Sequence, residues 1–399
     1  MQTRRLFIGN VATGLGSIAT GTVLGANSRI RVAIAGYGER GAQLAREIAA
    51  SPETEIVAVA DVYERRLEEA RLLGAAVTTH KNFGELLQVP GVDAIFIATP
   101  PHLHAGPFIA ALEAGKHVYV ERTAALSMED ARRMRAARNR APRCVVQTGH
   151  QVCSSGQIRD AANFLASGQV GRVFAIRAQM FRNTPRGKPQ WTRPVYPDMT
   201  PDNISWKDFL GDAPARNFDA HRFINWRLFQ DYSGGAVQEH LSQQMAFWYK
   251  VMNLEIPAAV TMTGGIYLWK DGREVPDTMS VSMDHAVADL LFSWNCGFGN
   301  SHPGISEDVL GTDGTISRSQ QIRYTPQKMN LPDGVESLGQ TPTAPRAHVQ
   351  NFFDSIRNGT EPNCPFEVAY RVSIACRMAT ESYHLRRTVY WDFEREEMV

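Results

Sequence analysis

The hexapeptide Gly36-Tyr37-Gly38-Glu39-Arg40-Gly41 has the residue types and spacing of a phosphate cradle. It lies between an apolar, β-branched run, Ile30 to Ala35, and a helical pattern through Leu44 and Ile48. This is G-x-G-x-x-G at a strand-to-helix turn. Gly36 permits the tight turn, Gly38 lets a pyrophosphate approach the backbone, and Gly41 lets helix and strand pack closely. Phosphates there rest on a helix N-terminus, where free N–H groups and the helix dipole favour anions. The glycine pattern alone is weak, but a second apolar strand follows, Glu55 to Ala60. It ends in Asp61, twenty residues after Gly41, where a carboxylate takes an adenosine ribose. A carboxylate there repels a 2′-phosphate, so NAD is favoured. Arg65 and Arg66 just beyond leave NADP open.

Other chemical residues follow at strand ends and in one glycine-opened segment. Thr99-Pro100, Glu121-Arg122 and His150-Gln151 each close an apolar run. Further on, Ser233-Gly234-Gly235 precedes Glu239, His240 and Gln243. On a helix, Glu239 and Gln243 share a face by their i, i+4 spacing, and His240 points about a quarter turn away. Glutamate and histidine can move protons, whereas glutamine cannot. Trp226-Arg227 offer an aromatic face and a guanidinium, suited to a sugar ring. Blander readings stay open: Glu239 as a dipole-favoured first-turn acid, His240 as a satisfied histidine, Trp226 as packing under a loop. Histidines and carboxylates show no metal-ligand spacing.

The elements that must position these residues are legible as well. Strands at 30–35, 55–60, 92–98, 117–120 and 144–147 alternate with helical patterns at 105–114 and 128–139. Strand–helix alternation predicts an α/β domain with a doubly wound parallel sheet over 29–151, its crevice at the strand C-terminal ends. From residue 152 the rhythm changes. A helix at 157–167 and a strand at 171–180 lead into a long polar, Pro-rich stretch, 182–214. Strand-like runs at 258–263, 278–285 and 288–294 predict an α+β second domain, 152–394, with an open, mainly antiparallel sheet. Helices at 345–358 and 366–385 close the chain.

The run TPPHLHAGPFIAALEAGKHVYVER (99–122), with this two-part layout, resembles the glucose–fructose oxidoreductase / inositol dehydrogenase (Gfo/Idh/MocA) family. The resemblance covers nearly all of residues 30–394. It implies that Thr99, Pro100 and His104 lie near the nicotinamide side of the cofactor, with Glu121 beside them. The family's strand ends Glu-Lys-Pro, and here it ends Glu121-Arg122-Thr123. Arginine keeps the charge of the family's proton-handling lysine but hardly deprotonates; it can still stabilise an oxyanion. The family's Gly-Gly, Asp and His pattern is matched with Glu239 in the Asp place and Gln243 in the His place. Either His240 takes over through a local distortion, or Glu239 serves as acid/base, or proton chemistry is absent.

The N-terminus adds a constraint. Arg4-Arg5, the uncharged run Val11–Leu24 and Ala26 read as a twin-arginine signal over 1–26, placing the protein in the periplasm or otherwise outside the cytoplasm. The apolar run is too short and glycine-rich to span a bilayer, so no stable membrane span follows signal cleavage. A net charge of +1 gives no support for a nucleic-acid partner. The five cysteines are scattered, which excludes a disulfide framework or zinc site and predicts buried thiols. Little free NAD is available outside the cytoplasm, so the tag implies a tightly bound cofactor, recycled internally within each cycle or regenerated by an outside acceptor. Three readings follow: an NAD(P)-dependent oxidoreductase on a sugar, polyol or glycoside hydroxyl; an NAD-dependent glycoside hydrolase working by transient oxidation, elimination and hydration; and an inactive sugar- or nucleotide-binding protein. Fold analogy implies a homodimer or homotetramer.

Overall fold

A computed structural model describes residues 29–342 and 347–399. The expected export signal and its cleavage point lie outside the described residues. The first sheet comprises β1 (Ile30–Ala35), β2 (Thr54–Ala60), β3 (Thr78–His80), β4 (Ala94–Ile97), β5 (His117–Val120) and β6 (Val146–Thr148). Its order is β3-β2-β1-β4-β5-β6, and every pairing is parallel. Strand order reverses between β1 and β4, which opens a crevice at their C-terminal ends.

Five helices accompany this sheet: α1 (Glu39–Ala49), α2 (Glu64–Arg71), α3 (Phe83–Leu86), α4 (Ala105–Glu113) and α5 (Met128–Arg140). The strands read as unbroken apolar runs because both faces are covered. Ile30, Val32 and Ile34 pack with Leu44 and Ile48 of α1. Ala33, Ile95, Ile97 and Val118 pack with Phe108 of α4 and Met134 of α5.

Past α6 (Gln157–Ala166) the chain builds a ten-stranded sheet from β7 (Val173–Phe181), β8 (Ala259–Gly265), β9 (Thr278–His285), β10 (Leu290–Gly297), β11 (Ile305–Gly311), β12 (Gly314–Arg318), β13 (Ile322–Pro326), β14 (Ser337–Leu338), β15 (Val389–Asp392) and β16 (Glu397–Met398). Only the β7–β10 pairing is parallel, so the mainly antiparallel expectation holds. Along β9, Met279, Val281 and Met283 are buried while Ser280, Ser282 and Asp284 are exposed. That period of two covers one sheet face and leaves the other to solvent.

Between β7 and β8 lie α7 (Trp206–Leu210), α8 (Ala220–Ile224) and α9 (Ser242–Met252). Two closing helices, α10 (Ala347–Asn358) and α11 (Phe366–Leu385), lie near the lengths that periodicity predicts. Val349, Phe352 and Phe353 of α10 pack against the β1 face of the first sheet, so late sequence completes the first core. A third apolar cluster joins Tyr63, beside β2, to Phe209, Phe223, Leu228 and Tyr232. It fixes the 182–232 segment as a roof over the crevice. Backbone bonds Ser205 N–H to Val62 O (2.8 Å) and Glu64 N–H to Asn203 O (2.9 Å) reinforce it. Among the described residues no helix is long and apolar enough to cross a membrane.

Candidate active site

The turn after β1 is enforced by sterics. Gly36 has φ +89°, and a Cβ there would lie 2.8 Å from the Thr99 nitrogen. A Cβ on Gly41 would lie 1.9 Å from the Gly36 carbonyl oxygen. Gly38 differs: a Cβ there would meet only the Arg66 guanidinium, at 3.5 Å. The protein's own packing therefore does not demand glycine at 38, and the bare backbone faces a cavity of about 340 Å³. Gly36, Gly38, Asp61, Arg66, Thr99 and Pro100 line it from below; Arg193, Phe223, Trp226 and Arg227 line it from the roof. Among the described residues Thr99 Oγ1 and Arg40 Nη2 are buried without a partner. Unsatisfied buried donors beside a bare glycine backbone fit a phosphate-bearing dinucleotide.

Asp61 is buried and does more than face a ribose. Its Oδ2 accepts from Tyr37 N–H (2.6 Å) and its Oδ1 from Tyr63 N–H (3.0 Å). The carboxylate thus holds the glycine turn to the end of β2. Tyr37 contributes through that N–H, while its ring packs in the core. The two arginines beyond Asp61 separate. Arg65 is held by Asp198 (Nε to Oδ2, 2.8 Å) and lies over Tyr196. Arg66 stays in the cavity, 3.4 Å from Asp61 Oδ1 and over the Phe223 ring.

A second cavity of about 270 Å³ adjoins the first, sharing Arg40, Thr99, Trp226 and Arg227 and adding Glu121, Arg122 and Glu239. Glu121 is buried; burial raises its pKa, but Arg40 and then Arg122 outweigh that and hold it below the ordinary carboxylate range. Arg40 Nε donates to Glu121 Oε1 at 2.7 Å. Gln151 is the hub: its Oε1 accepts from Arg122 Nη1 (3.2 Å) and Gln243 Nε2 (3.1 Å), and its Nε2 reaches Glu121 Oε1 (3.5 Å). Gln243 Oε1 is buried and unpartnered among the described residues. Glu239 Oε1 accepts from Arg227 Nε at 3.0 Å. Burial pushes its pKa up, but Arg227 and Arg122 dominate and lower it, so it is a carboxylate at neutral pH. The Arg227 guanidinium lies 4.2 Å over the Trp226 ring and covers one of its faces.

Val237–Leu241 form a π-helical turn running into α9. Such turns often mark functional sites, and this one supplies the local distortion considered for His240. It does not bring His240 to the hub. The ring stacks on Trp191 (5.7 Å, 21°) near Phe298, with Nε2 3.2 Å from Gln190 Nε2. Burial depresses its pKa to about 4. Two other expected site residues face inward. His104 is fully buried, its ring nitrogens 3.0 Å from Thr123 O and 2.9 Å from Thr99 O, where it ties the loops after β4 and β5. His150 is fully buried against Thr148 Oγ1 (3.4 Å) and Cys364 Sγ (3.9 Å). The structure thus gathers Arg122, Gln151, Trp226, Arg227, Glu239 and Gln243, and sets Tyr37, His104 and His150 behind them.

Arg40 and Arg193 carry no site assignment from sequence. Arg40 stands inside the glycine motif, but its partner Glu121 is 81 residues away. No spacing signal marks Arg193. The five cysteines are buried and free, as expected. No cluster that could hold a metal occurs among the described residues.

Residues 30–150 match the Gfo/Idh/MocA model, described as an oxidoreductase family with an NAD-binding Rossmann fold. They form an NAD-binding Rossmann domain. The chain is 36% identical over 111 residues to 1,5-anhydro-D-fructose reductase of Ensifer adhaerens, covering 26% of this chain and 33% of that protein. It is 30% identical over 142 residues to a glycosyl hydrolase family 109 protein of Stenotrophomonas maltophilia (strain K279a), covering 33% and 31%. The chain thus spans about a third of the length of these curated relatives. Across both domains it shares the fold of levoglucosan dehydrogenase, solved with NADH and levoglucosan (TM-score 0.70, 17% identity, 91% of this chain and 99% of that one). The domain that matches this model therefore supplies the glycine turn and the Glu121-Arg122 edge, and the second domain closes the crevice.

Proposed function

We propose that the chain is an NAD(P)-dependent oxidoreductase acting on a hydroxyl-bearing carbon of a sugar, polyol or glycoside. The observation that carries this is one crevice running from the glycine turn to the Arg122–Gln151–Gln243–Glu239 cluster. Gly36, Gly38 and Gly41 would hold the pyrophosphate, Asp61 the ribose, and Thr99 and Pro100 the nicotinamide end. A bound nicotinamide supplies two-electron exchange with carbon. Arg122 keeps its charge and stabilises a developing alkoxide. Glu239, ionised beside Arg227, is the group placed to take the hydroxyl proton. Gln151 and Gln243 offer the neutral donors and acceptors that orient neighbouring hydroxyls.

Similarity to the glycosyl hydrolase family 109 protein favours a second reading, in which the same oxidation acidifies a C–H and Glu239 removes that proton before the aglycone leaves. Net release of aglycone without net change in cofactor state would distinguish it from an oxidoreductase. From the Arg4-Arg5 signal we further infer export with the cofactor loaded and recycled within each cycle. We also infer self-association through the uncovered sheet face, which molecular mass in solution tests.

The deciding experiment denatures protein recovered from the exported fraction and counts released nucleotide per chain. Near one NAD per chain supports a retained cofactor, and sugars and glycosides are then screened without added NAD. An empty protein that also fails to bind added NAD overturns the oxidoreductase reading and leaves a sugar-binding protein.

A further inference from the structure

Arg193 reaches the glycine turn from the second domain. It lies two residues after Trp191, whose backbone is left-handed (φ +67°). A bulky residue rarely adopts that conformation, which costs on the order of 1–2 kcal/mol. Arg193's own backbone is held on both sides by fully buried Asn225: its N–H donates to Asn225 Oδ1 (2.6 Å), and Asn225 Nδ2 donates to its carbonyl (3.2 Å). Its guanidinium pairs with Glu39, the first residue of α1, and lines the cavity beside Gly36 and Gly38.

The ion pair does not explain this construction. The side chains of Arg193 and Glu39 are 37% and 73% exposed. An exposed pair contributes roughly 0–1 kcal/mol, no more than the strain at Trp191 opposes. Glu39 also places a negative charge in the first turn of the helix that would receive phosphates. A dinucleotide there needs a cation to offset it, and Arg40 gives its Nε to Glu121 (2.7 Å), leaving only its Nη2 for a phosphate. Residues 190–191 are further fixed within the second domain, where Trp191 stacks on His240 and the Gln190 carbonyl accepts from Arg273 Nη2 (3.1 Å).

We propose that Arg193 is a ligand of the dinucleotide pyrophosphate, exchanging Glu39 for phosphate oxygens when the cofactor binds. The second domain thereby holds the cofactor by its charged centre as well as by its apolar roof. This rests on the dinucleotide site of the proposed function. The bond would be charge-assisted and short-range, with the guanidinium donating to phosphate oxygens.

The test is calorimetric titration of nucleotide-free full-length protein with NAD and, separately, with adenosine. Wild type, Arg193→Gln, Glu39→Gln and the double variant are compared. Arg193→Gln should weaken NAD about tenfold, leave adenosine unchanged and flatten the salt dependence of NAD binding. Glu39→Gln should tighten NAD, and adding Arg193→Gln to it should still weaken binding. Unchanged NAD affinity in Arg193→Gln overturns the inference. So does equal weakening of adenosine, or loss of the Arg193 effect in the Glu39→Gln background, since Arg193 would then only neutralise Glu39. A wild-type protein that binds no NAD overturns the proposed function itself, whereas the other outcomes leave it standing.

Discussion

The glycine turn and the substrate-side cluster sit in one crevice but are built by opposite means. The turn is local and made of backbone: six consecutive residues, with glycine compelled at 36 and 41 by contacts of 2.8 and 1.9 Å to main-chain atoms. The cluster is made of side chains drawn from residues 121–122, 151, 226–227 and 239–243, held by hydrogen bonds of 3.0–3.2 Å around Gln151 and Glu239. A backbone site tolerates almost no substitution where atoms touch, and its chemistry is generic. A side-chain site can change one member and keep its shape, so specificity can diverge there. Arg122, Glu239 and Gln243, which depart from the Gfo/Idh/MocA pattern, all lie in the cluster.

Four substitutions or conditions can break or sharpen this contrast. The largest effect belongs to Gly41→Ala, whose methyl group has no space beside the Gly36 carbonyl. A loss of about 4 kcal/mol in denaturant unfolding is expected, whereas Gly38→Ala should fold normally and lose nucleotide binding. Equal destabilisation by the two would show that Gly38 also serves packing.

Next is acid sensitivity on the substrate side. The folded pKa of His240, about 4, lies below its ordinary 6.5, so the unfolded chain takes up the proton first as pH falls. Stability from the neutral, half-buried ring is complete above pH 6.5 and is lost as pH falls toward 4, by about 3 kcal/mol. His240→Phe should flatten that part of the stability profile. An unchanged profile would show that the ring is not buried neutral.

Glu239→Gln should leave the fold intact and lower turnover roughly 100-fold on any substrate found. Because its pKa is lowered, wild-type activity should persist below the ordinary carboxylate range before falling. Retained turnover in the variant would remove Glu239 as the proton acceptor. The smallest effect is expected for Asp61→Asn, which keeps the shape but weakens one backbone contact and the ribose contact. NAD affinity should fall about tenfold and discrimination against NADP should relax. No change in either would leave Asp61 only its structural role at Tyr37 and Tyr63.

How far the sequence was legible follows the same division. Unbroken apolar strands and the G-x-G-x-x-G turn are short-range patterns, and they led directly to the parallel sheet and its crevice. The last helix, 366–385, was legible because its periodicity is its own. The place of α10 on the first sheet was not, because an apolar helix face does not say which of two cores it will fill. The resemblance put His104 in the site and a strand end put His150 there, yet tertiary packing turns both rings inward. Position in the chain says where a residue is, not which side its ring takes.

The sequence by itself therefore determined the two-domain plan, the phosphate-binding turn and the presence of a carboxylate and a cation at the right chain positions. These depend on local sterics and on periodicity, which neighbouring residues settle among themselves. Only the tertiary structure decided that Asp61 braces the turn, that Arg65 is taken by Asp198 while Arg66 remains in the cavity, and that Gln151 links Arg122 to Gln243. Apart from Arg66 and Asp61, five residues apart, those are pairings across tens to more than a hundred residues. Their energies depend on burial and on competing partners, which exist only once the chain has folded.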